Sequence, residues 1–197
     1  MNNLIAEFRE VLGSKSVLTG EDVSSRLIHP WYPRPIDAQC ILRPTTTAEV
    51  SYILKTCNDH GQTITAHGGL TGLVQGCNTT QNDVVLSLER MNQIEELDTT
   101  GRTITVRAGV PLQVLQETVA EKGLMFPLDL GARGSCQIGG NVSTNAGGNN
   151  VIRFGMTREN VLGLEAVLAD GTVVTSMNTM VKNNAGYDLK QLFIGTE

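Results

Sequence analysis

The sequence predicts an α+β fold of two lobes, a small parallel β-α-β lobe followed by an antiparallel sheet lobe with helices added. Three observations predict it. Residues 40–88 read strand, helix, strand, glycine-rich loop, strand, the order that builds a small parallel sheet. Ile104 and Val106 alternate with Thr103, Thr105 and Arg107, the period of a half-exposed strand. Asp170-Gly171 lies between two apolar runs, a strong hairpin signal that marks the second half as antiparallel.

Each element follows in order. Leu4, Ile5, Phe8, Val11 and Leu12 fall on one helical stripe, and Gly13 suits its C-terminal end. Four prolines between Ile28 and Pro44 break regular structure, leaving Cys40-Ile41-Leu42 as a short buried strand. Thr46-Thr47-Ala48-Glu49 has the capping-box pattern, and Val50, Ile53, Leu54 and Cys57 keep amphipathic helix spacing up to Gly61. Thr63 to Ala66 reads as a strand, and a glycine loop runs on to Gly76. Val84 to Leu88 is nearly all apolar, as in a strand buried on both faces. Pro111 suits the first turn of a helix that turns Leu112, Leu115 and Val119 inward and stops at Gly123. Leu164–Ala169 and Thr172–Val174 flank the Asp-Gly turn. The chain thus divides into a lead-in over 1–35 and a domain over 36–197, with lobes at 36–92 and 93–197.

Composition excludes several classes. The 197 residues suffice to bury a core without disulfides or metals. Fifteen basic against twenty acidic residues, a net charge of −5, disfavour a nucleic-acid surface. The longest uncharged stretch, Gly134 to Ile152, is too rich in Gly, Asn, Ser and Thr to cross a membrane. Glu7 and Glu10 stand where a transit peptide avoids acids, and no signal-peptide core is visible. Cys40, Cys57, Cys77 and Cys136 form no C-x-x-C pair, so they read as reduced thiols of a cytoplasmic protein. No histidine pair has metal-ligand spacing, so no metal site is expected.

Glycine is the compositional outlier. Residues 61–76 hold five glycines and residues 131–148 six, so 11 of the 21 lie in 34 positions. Entropy disfavours such density unless the backbone must turn sharply or approach something closely. One reading is tight turns. The other is a concave anion site of exposed amides, with Ser135, Thr144, Asn141 and Asn145 as neutral donors. No Gly-Lys-Ser/Thr follows either cluster, and neither is a G-x-G-x-x-G opening a long helix. A phosphodiester held by backbone amides without a lysine is the chemistry suggested.

The motifs are Ala66-His67-Gly68-Gly69-Leu70-Thr71-Gly72, Pro127-Leu128-Asp129, and Ile138-Gly139-Gly140-Asn141-Val142-Ser143-Thr144-Asn145-Ala146-Gly147-Gly148, with Gly195-Thr196-Glu197 at the end. On these, and on Val161–Thr172 and Tyr187–Gly195, the chain resembles the FAD-linked oxidase family with the vanillyl-alcohol-oxidase type flavin domain. Within it the chain is similar to the D-2-hydroxyglutarate and D-lactate dehydrogenase branch. The resemblance implies that 36–197 is an FAD-binding domain of two lobes with FAD extended between them. It implies that His67, Gly68, Gly69, Leu70, Thr71 and Gly72 wrap the pyrophosphate. It implies that Gly139, Gly140, Asn141, Thr144, Asn145 and Gly147 approach the pyrophosphate and the ribityl or flavin end. Pro127, Leu128 and Asp129 would lie close by, with Gly134 and Ser135 of the same cluster. Ala66 departs from the usual proline, and Leu70 from a small or polar residue. Leu70 also stands where some relatives carry the histidine that bonds covalently to the flavin, so FAD is expected to be held non-covalently.

In relatives the motif at 195–197 continues into a further strand and a substrate-binding cap that carries the catalytic histidine. The chain is therefore expected to be the cofactor domain of an enzyme oxidising a D-2-hydroxy acid to a 2-keto acid. No catalytic residue is expected within it, and no turnover from the chain alone. The alternative is a non-catalytic flavin-binding or assembly subunit completed by another polypeptide. His67 reads equally as a phosphate or ring contact and as a plain loop histidine; His60 as a helix C-terminal contact; Arg153 and Arg158 as phosphate partners or surface residues; Trp31 and Tyr32 as lobe-surface packing.

Overall fold

The computed structural model describes residues 2–29 and 31–197 and divides the chain into two units. The first runs to Met91 and takes in Val167–Val173; the second comprises Asn92–Ala166 and Val174–Glu197. Of the prolines expected to interrupt the lead-in, Pro30 lies outside the described residues.

In chain order the first unit carries helix α1 (Asn2–Leu12), strand β1 (Val17–Leu18), helix α2 (Glu21–Ser24), and strands β2 (Leu27–Ile28), β3 (Arg34–Pro35) and β4 (Cys40–Leu42). Helix α3 (Thr47–Asp59) and strands β5 (Ile64–His67) and β6 (Val84–Ser87) follow. The sheet order is β1-β4-β6-β5, with β4, β6 and β5 parallel and β1 antiparallel at the edge. The parallel lobe expected from residues 40–88 is there. The two-residue strands β2 and β3, which pair antiparallel, occur where prolines were expected to leave no regular structure. Pro35 can sit there because a two-stranded ribbon has an edge free of ladder bonds.

The sheet is buried on both faces, and its alternation sorts the side chains. Cys40, Leu42, Val84 and Leu86 join Phe8, Leu12, Val50, Ile53 and Cys57 of α1 and α3 on one face. Ile41 and Val85 meet Val23, Ile28 and Ile36 on the other. Val11 is 53% exposed, so the inward stripe of α1 is narrower than its hydropathy suggests. The Thr46 hydroxyl caps α3 by accepting from Glu49 N–H at 3.2 Å. Glu49 reaches back one residue further than a capping box requires, accepting from Thr45 N–H at 2.5 Å. His60 Nδ1 donates to Thr56 O at 2.9 Å, the helix-end contact foreseen for it.

The second unit begins with β7 (Ile94–Asp98) and β8 (Thr103–Val106), an antiparallel pair with a register shift between Ile94 and Glu96. Helix α4 (Leu112–Ala120) starts one residue later than read, with Pro111 as its N-cap at φ −63°. Its Leu115 and Val119 pack with Val110, Ile104 and Val106, and its Leu112 with Leu128 and Cys136. Two short helices, α5 (Ile138–Ser143) and α6 (Val151–Phe154), lie in what reads as a glycine loop. Strands β9 (Leu164–Val167) and β10 (Val173–Ser176) pair as a hairpin. The first strand ends two residues earlier than read and the second starts one residue later and runs on to Ser176, because Leu168 N–H bonds Thr172 O and Asp170 accepts from Thr172 N–H to form the turn.

Candidate functional site

The first glycine cluster leaves the carboxyl end of β5, the end of a parallel strand at which open α/β sheets bind ligands. His67 closes the strand and is only 3% exposed. Its Nε2 donates to Cys77 O at 2.8 Å. Burial holds the imidazole below its usual value, partly offset by that bond. Of the two readings of His67, the ring is thus a loop anchor, and its capacity to reach a ligand passes to the backbone that follows. Leu70 sits at φ +55° and packs against the Ile36–Ile41–Val85 face of the core. Among the described residues, none of the backbone N–H groups from Gly68 to Val74 donates to an acceptor within the protein. Seven consecutive amides, from Gly68 to Val74, are therefore left without an internal acceptor. No heavy atom lies within 4 Å of where a Gly72 side chain would begin.

Beside this loop is a cleft of about 250 Å³ lined by Arg26, Ile36, His67, Gly68, Leu70, Ser87 and Glu89. Glu89 accepts two bonds from Arg26, at 2.6 and 3.1 Å, and one from Arg43 at 3.1 Å. Burial works to raise its carboxyl, but the two guanidinium groups together hold it below the usual carboxylate range. Arg26 and Glu89 carry no motif, so only the fold brings them to the loop.

The second cluster is built otherwise. Ile138 N–H donates to Val110 O at 2.9 Å, Gly139 N–H to Ala108 O at 2.7 Å, and Asn141 N–H to Gln137 O at 2.9 Å. Thr144 and Ala146 N–H groups bond Gly140 O and Asn141 O. These amides are satisfied internally and are not open donors. The glycines instead permit close approach. A methyl on Gly139 would lie 2.7 Å from the Ala108 side chain, and one on Gly148 would lie 2.1 Å from Asp129 O. Gly140 faces open space. Gln137 Oε1 is buried without a partner. The motif reading stopped at Ile138 and missed that oxygen; the uncharged polar residue just before the motif was the available signal.

The remaining candidates fall around α5. Asn141 is 4% exposed, with Nδ2 3.7 Å from Cys136 Sγ. Asn145, at φ +46°, accepts from Arg158 N–H, and Thr144 Oγ1 donates to Gly140 O. Asp129 accepts from Asn149 Nδ2 at 2.9 Å, Pro127 O accepts from Asn150 Nδ2, and Leu128 is buried. Gly147 packs near Val151, while Gly134 and Ser135 are exposed on the turn entering Cys136. Arg158 donates to Gln191 O and Ile194 O, and Arg153 stacks over Phe154 at 5.1 Å. Both arginines are engaged within the protein. Trp31 is 79% exposed, and Tyr32 lies on the His29 ring.

The four cysteines are free, and no helix among the described residues is long and apolar enough to cross a membrane. The chain is 48% identical over 160 residues to D-2-hydroxyglutarate dehydrogenase, mitochondrial, of Bos taurus, covering 81% of this chain and 29% of that protein. It is 42% identical over 167 residues to D-2-hydroxyglutarate dehydrogenase of Xanthomonas citri pv. viticola, covering 85% and 35%. It therefore spans about a third of the length of these curated relatives. Alkyldihydroxyacetonephosphate synthase has the same fold, with a TM-score of 0.84 over 100% of this chain and 38% of that one at 15% identity. Residues 38–176 match the model of the FAD binding domain, and the chain belongs to that family.

Proposed function

We propose that the chain is the cofactor domain of a flavoenzyme that oxidises the hydroxyl-bearing carbon of a D-2-hydroxy acid to a ketone. The observation that carries the cofactor part is the run of open amides from Gly68 to Val74 at the end of a parallel strand. The residues fit FAD. Its pyrophosphate offers the acceptor oxygens those N–H groups lack, and Gly72 leaves room for them. His67 contributes its main chain, with Gly68, Gly69, Leu70, Thr71 and Gly72, because its ring is bonded to Cys77. In the second unit, Gly140 and the unpartnered Gln137 Oε1 are the atoms available to a ligand, on a frame made by Gly139, Asn141, Thr144, Asn145 and Gly147. Pro127–Asp129 brace that frame through Asn149 and Asn150. FAD, when bound, supplies a ring nitrogen that accepts the hydride leaving the substrate carbon. Leu70 offers no nucleophile, so attachment is non-covalent. The substrate class follows from the relatives' names.

The compartment reading changes. Free cysteines favour a reducing compartment, and the Bos taurus relative is named as mitochondrial, so a cytoplasmic and a mitochondrial location both fit. A second reading is a non-catalytic flavin-binding or assembly subunit joined by another polypeptide. Val181, Tyr187 and Leu192, at 85%, 97% and 70% exposure, favour a covering partner for that segment.

The test is a visible spectrum of the purified chain after incubation with FAD and desalting. A retained flavin band, with intact FAD released on denaturation, is the expected result. A well-folded chain that retains none overturns the cofactor reading, and flavin that stays with the denatured polypeptide overturns non-covalent attachment.

A further inference from the structure

The amide-bearing loop is gripped from outside by a segment that no cofactor motif includes. The β2–β3 ribbon reaches it at three points. His29 Nε2 donates to Asn78 Oδ1 at 2.6 Å, and Arg34 donates to the same oxygen at 2.9 Å. Tyr32 OH donates to Leu73 O at 3.2 Å, within the run of open amides. Ile28 and Ile36 supply the apolar face on which Leu70 rests. The ribbon thus meets the loop at its start, middle and end.

His29 is the unusual member. It is 2% exposed and sits at φ +63°, a conformation that L side chains rarely adopt and that costs on the order of 1–3 kcal/mol. Tyr32 covers its ring at 4.8 Å with a tilt of 31°. A buried histidine persists in such a conformation only where its surroundings over-determine it, and here the surroundings are Asn78 and Tyr32. A loop whose amides bond nothing has no internal hydrogen bonds to hold it open. It needs outside contacts to keep the N–H groups convergent.

We propose that the β2–β3 ribbon is a clasp that holds the Gly68–Val74 amides in their ligand-ready arrangement, with His29 as the positioning residue acting through Asn78. The cofactor part rests on the FAD reading above; the clasp itself does not. The side chain of Asn78 carries the connection, because one oxygen receives both His29 and Arg34. Loss of that oxygen frees the far end of the loop, whereas an aspartate there keeps the acceptor.

The test uses backbone amide order parameters and FAD titration on the whole chain. In Asn78→Ala, the order parameters of the Gly68–Val74 amides without FAD fall from the rigid range of about 0.85 to below about 0.6, and the FAD Kd rises about tenfold. Asn78→Asp restores the order parameters and brings the Kd to within about twofold of the parent. His29→Gly, which relieves the backbone strain but removes the ring, gives the same loosening, and adding Asn78→Ala to it has little further effect. The melting temperature reports general damage separately. Tyr32→Phe, at a half-exposed site, lowers the order parameters by a smaller amount and covers the case in which the Asn78 variant fails to fold. Unchanged order parameters in the folded variants overturn the clasp. Loosened amides with unchanged FAD affinity overturn its role in binding. A parent chain that binds no FAD removes the cofactor reading, and the order parameters of the ligand-free chain then decide the clasp alone.

Discussion

The two glycine clusters have the same composition and opposite construction. In the first, amides are open and the loop is held from outside by side chains of other elements. In the second, the amides of Ile138, Gly139, Asn141, Thr144 and Ala146 are bonded to neighbouring backbone, and Gly139 and Gly148 lie where chains pass too close for a side chain. Glycine density therefore marks two distinct needs, freedom to present N–H groups and freedom from Cβ. Substitution at the two regions should separate them, one losing binding and the other losing the fold.

The largest effect is expected at Gly148. A methyl there falls 2.1 Å from Asp129 O, a backbone atom that cannot rotate away. Gly148→Ala should cost about 2–4 kcal/mol in urea unfolding, as overpacking against fixed backbone does. Gly139→Ala, against Ala108, should cost less, about 1–3 kcal/mol, because the approach is 2.7 Å rather than 2.1 Å. Parent-like stability in Gly148→Ala would show that the second cluster is as open as the first.

Gly72→Ala is the counterpart. Nothing lies within 4 Å of the new methyl, so stability should stay within about 1 kcal/mol of the parent. If the pyrophosphate takes the open space at Gly72, as proposed, the methyl competes with it and the FAD Kd should rise about tenfold. Loss of stability without loss of affinity would reverse the assignment of the two regions.

These contrasts show what the sequence made legible. Hydropathy period gave α3 and β6, because a buried face leaves a pattern that local residues carry alone. The motifs located both glycine regions. They did not tell which amides are open, because that depends on Ala108, Val110 and Cys77, residues distant in sequence. The ribbon of β2 and β3 was unreadable for the same reason: two residues per strand carry no period, and Ile28 and Ile36 take their role from the sheet face they meet. Helix α5 was hidden because glycine-rich sequence has poor helix propensity, which hydrogen bonds from Ile138 and Gly139 to Val110 and Ala108 override here.

Acid should act on the first region before the second. Burial depresses the His67 imidazole in the folded chain, so the unfolded chain takes up a proton more readily. The stabilising contribution is therefore full above the ordinary histidine value and is lost as pH falls through it towards the depressed one. Melting temperature should fall as pH drops through the ordinary histidine range, about 6.5, with a shallower fall in His67→Gln. Backbone amide order parameters should place the loosening at 68–77, with residues 138–146 unchanged. Below that range Glu89 adds to the loss, since its depressed carboxyl stabilises only while ionised. Identical pH profiles for parent and His67→Gln would remove His67 as the anchor.

The smallest effect is expected at Leu70, where two terms oppose. At φ +55° a leucine is strained by roughly 1 kcal/mol relative to asparagine, which tolerates the left-handed region. Its side chain returns a comparable sum, about 1 kcal/mol, by packing half-buried against the Ile36–Ile41–Val85 face. Leu70→Asn should therefore change stability by less than about 1 kcal/mol. Its sign is informative: a gain shows that backbone strain dominates, and a loss shows that the apolar anchor does. Leu70→Gly keeps the conformation without strain but adds flexibility, so it should lower the order parameters of the 68–74 amides more than the asparagine does. If both variants leave the order parameters unchanged, the loop is held by the His29 and His67 contacts alone, and the leucine is a tolerated strain rather than part of the frame that keeps the amides open.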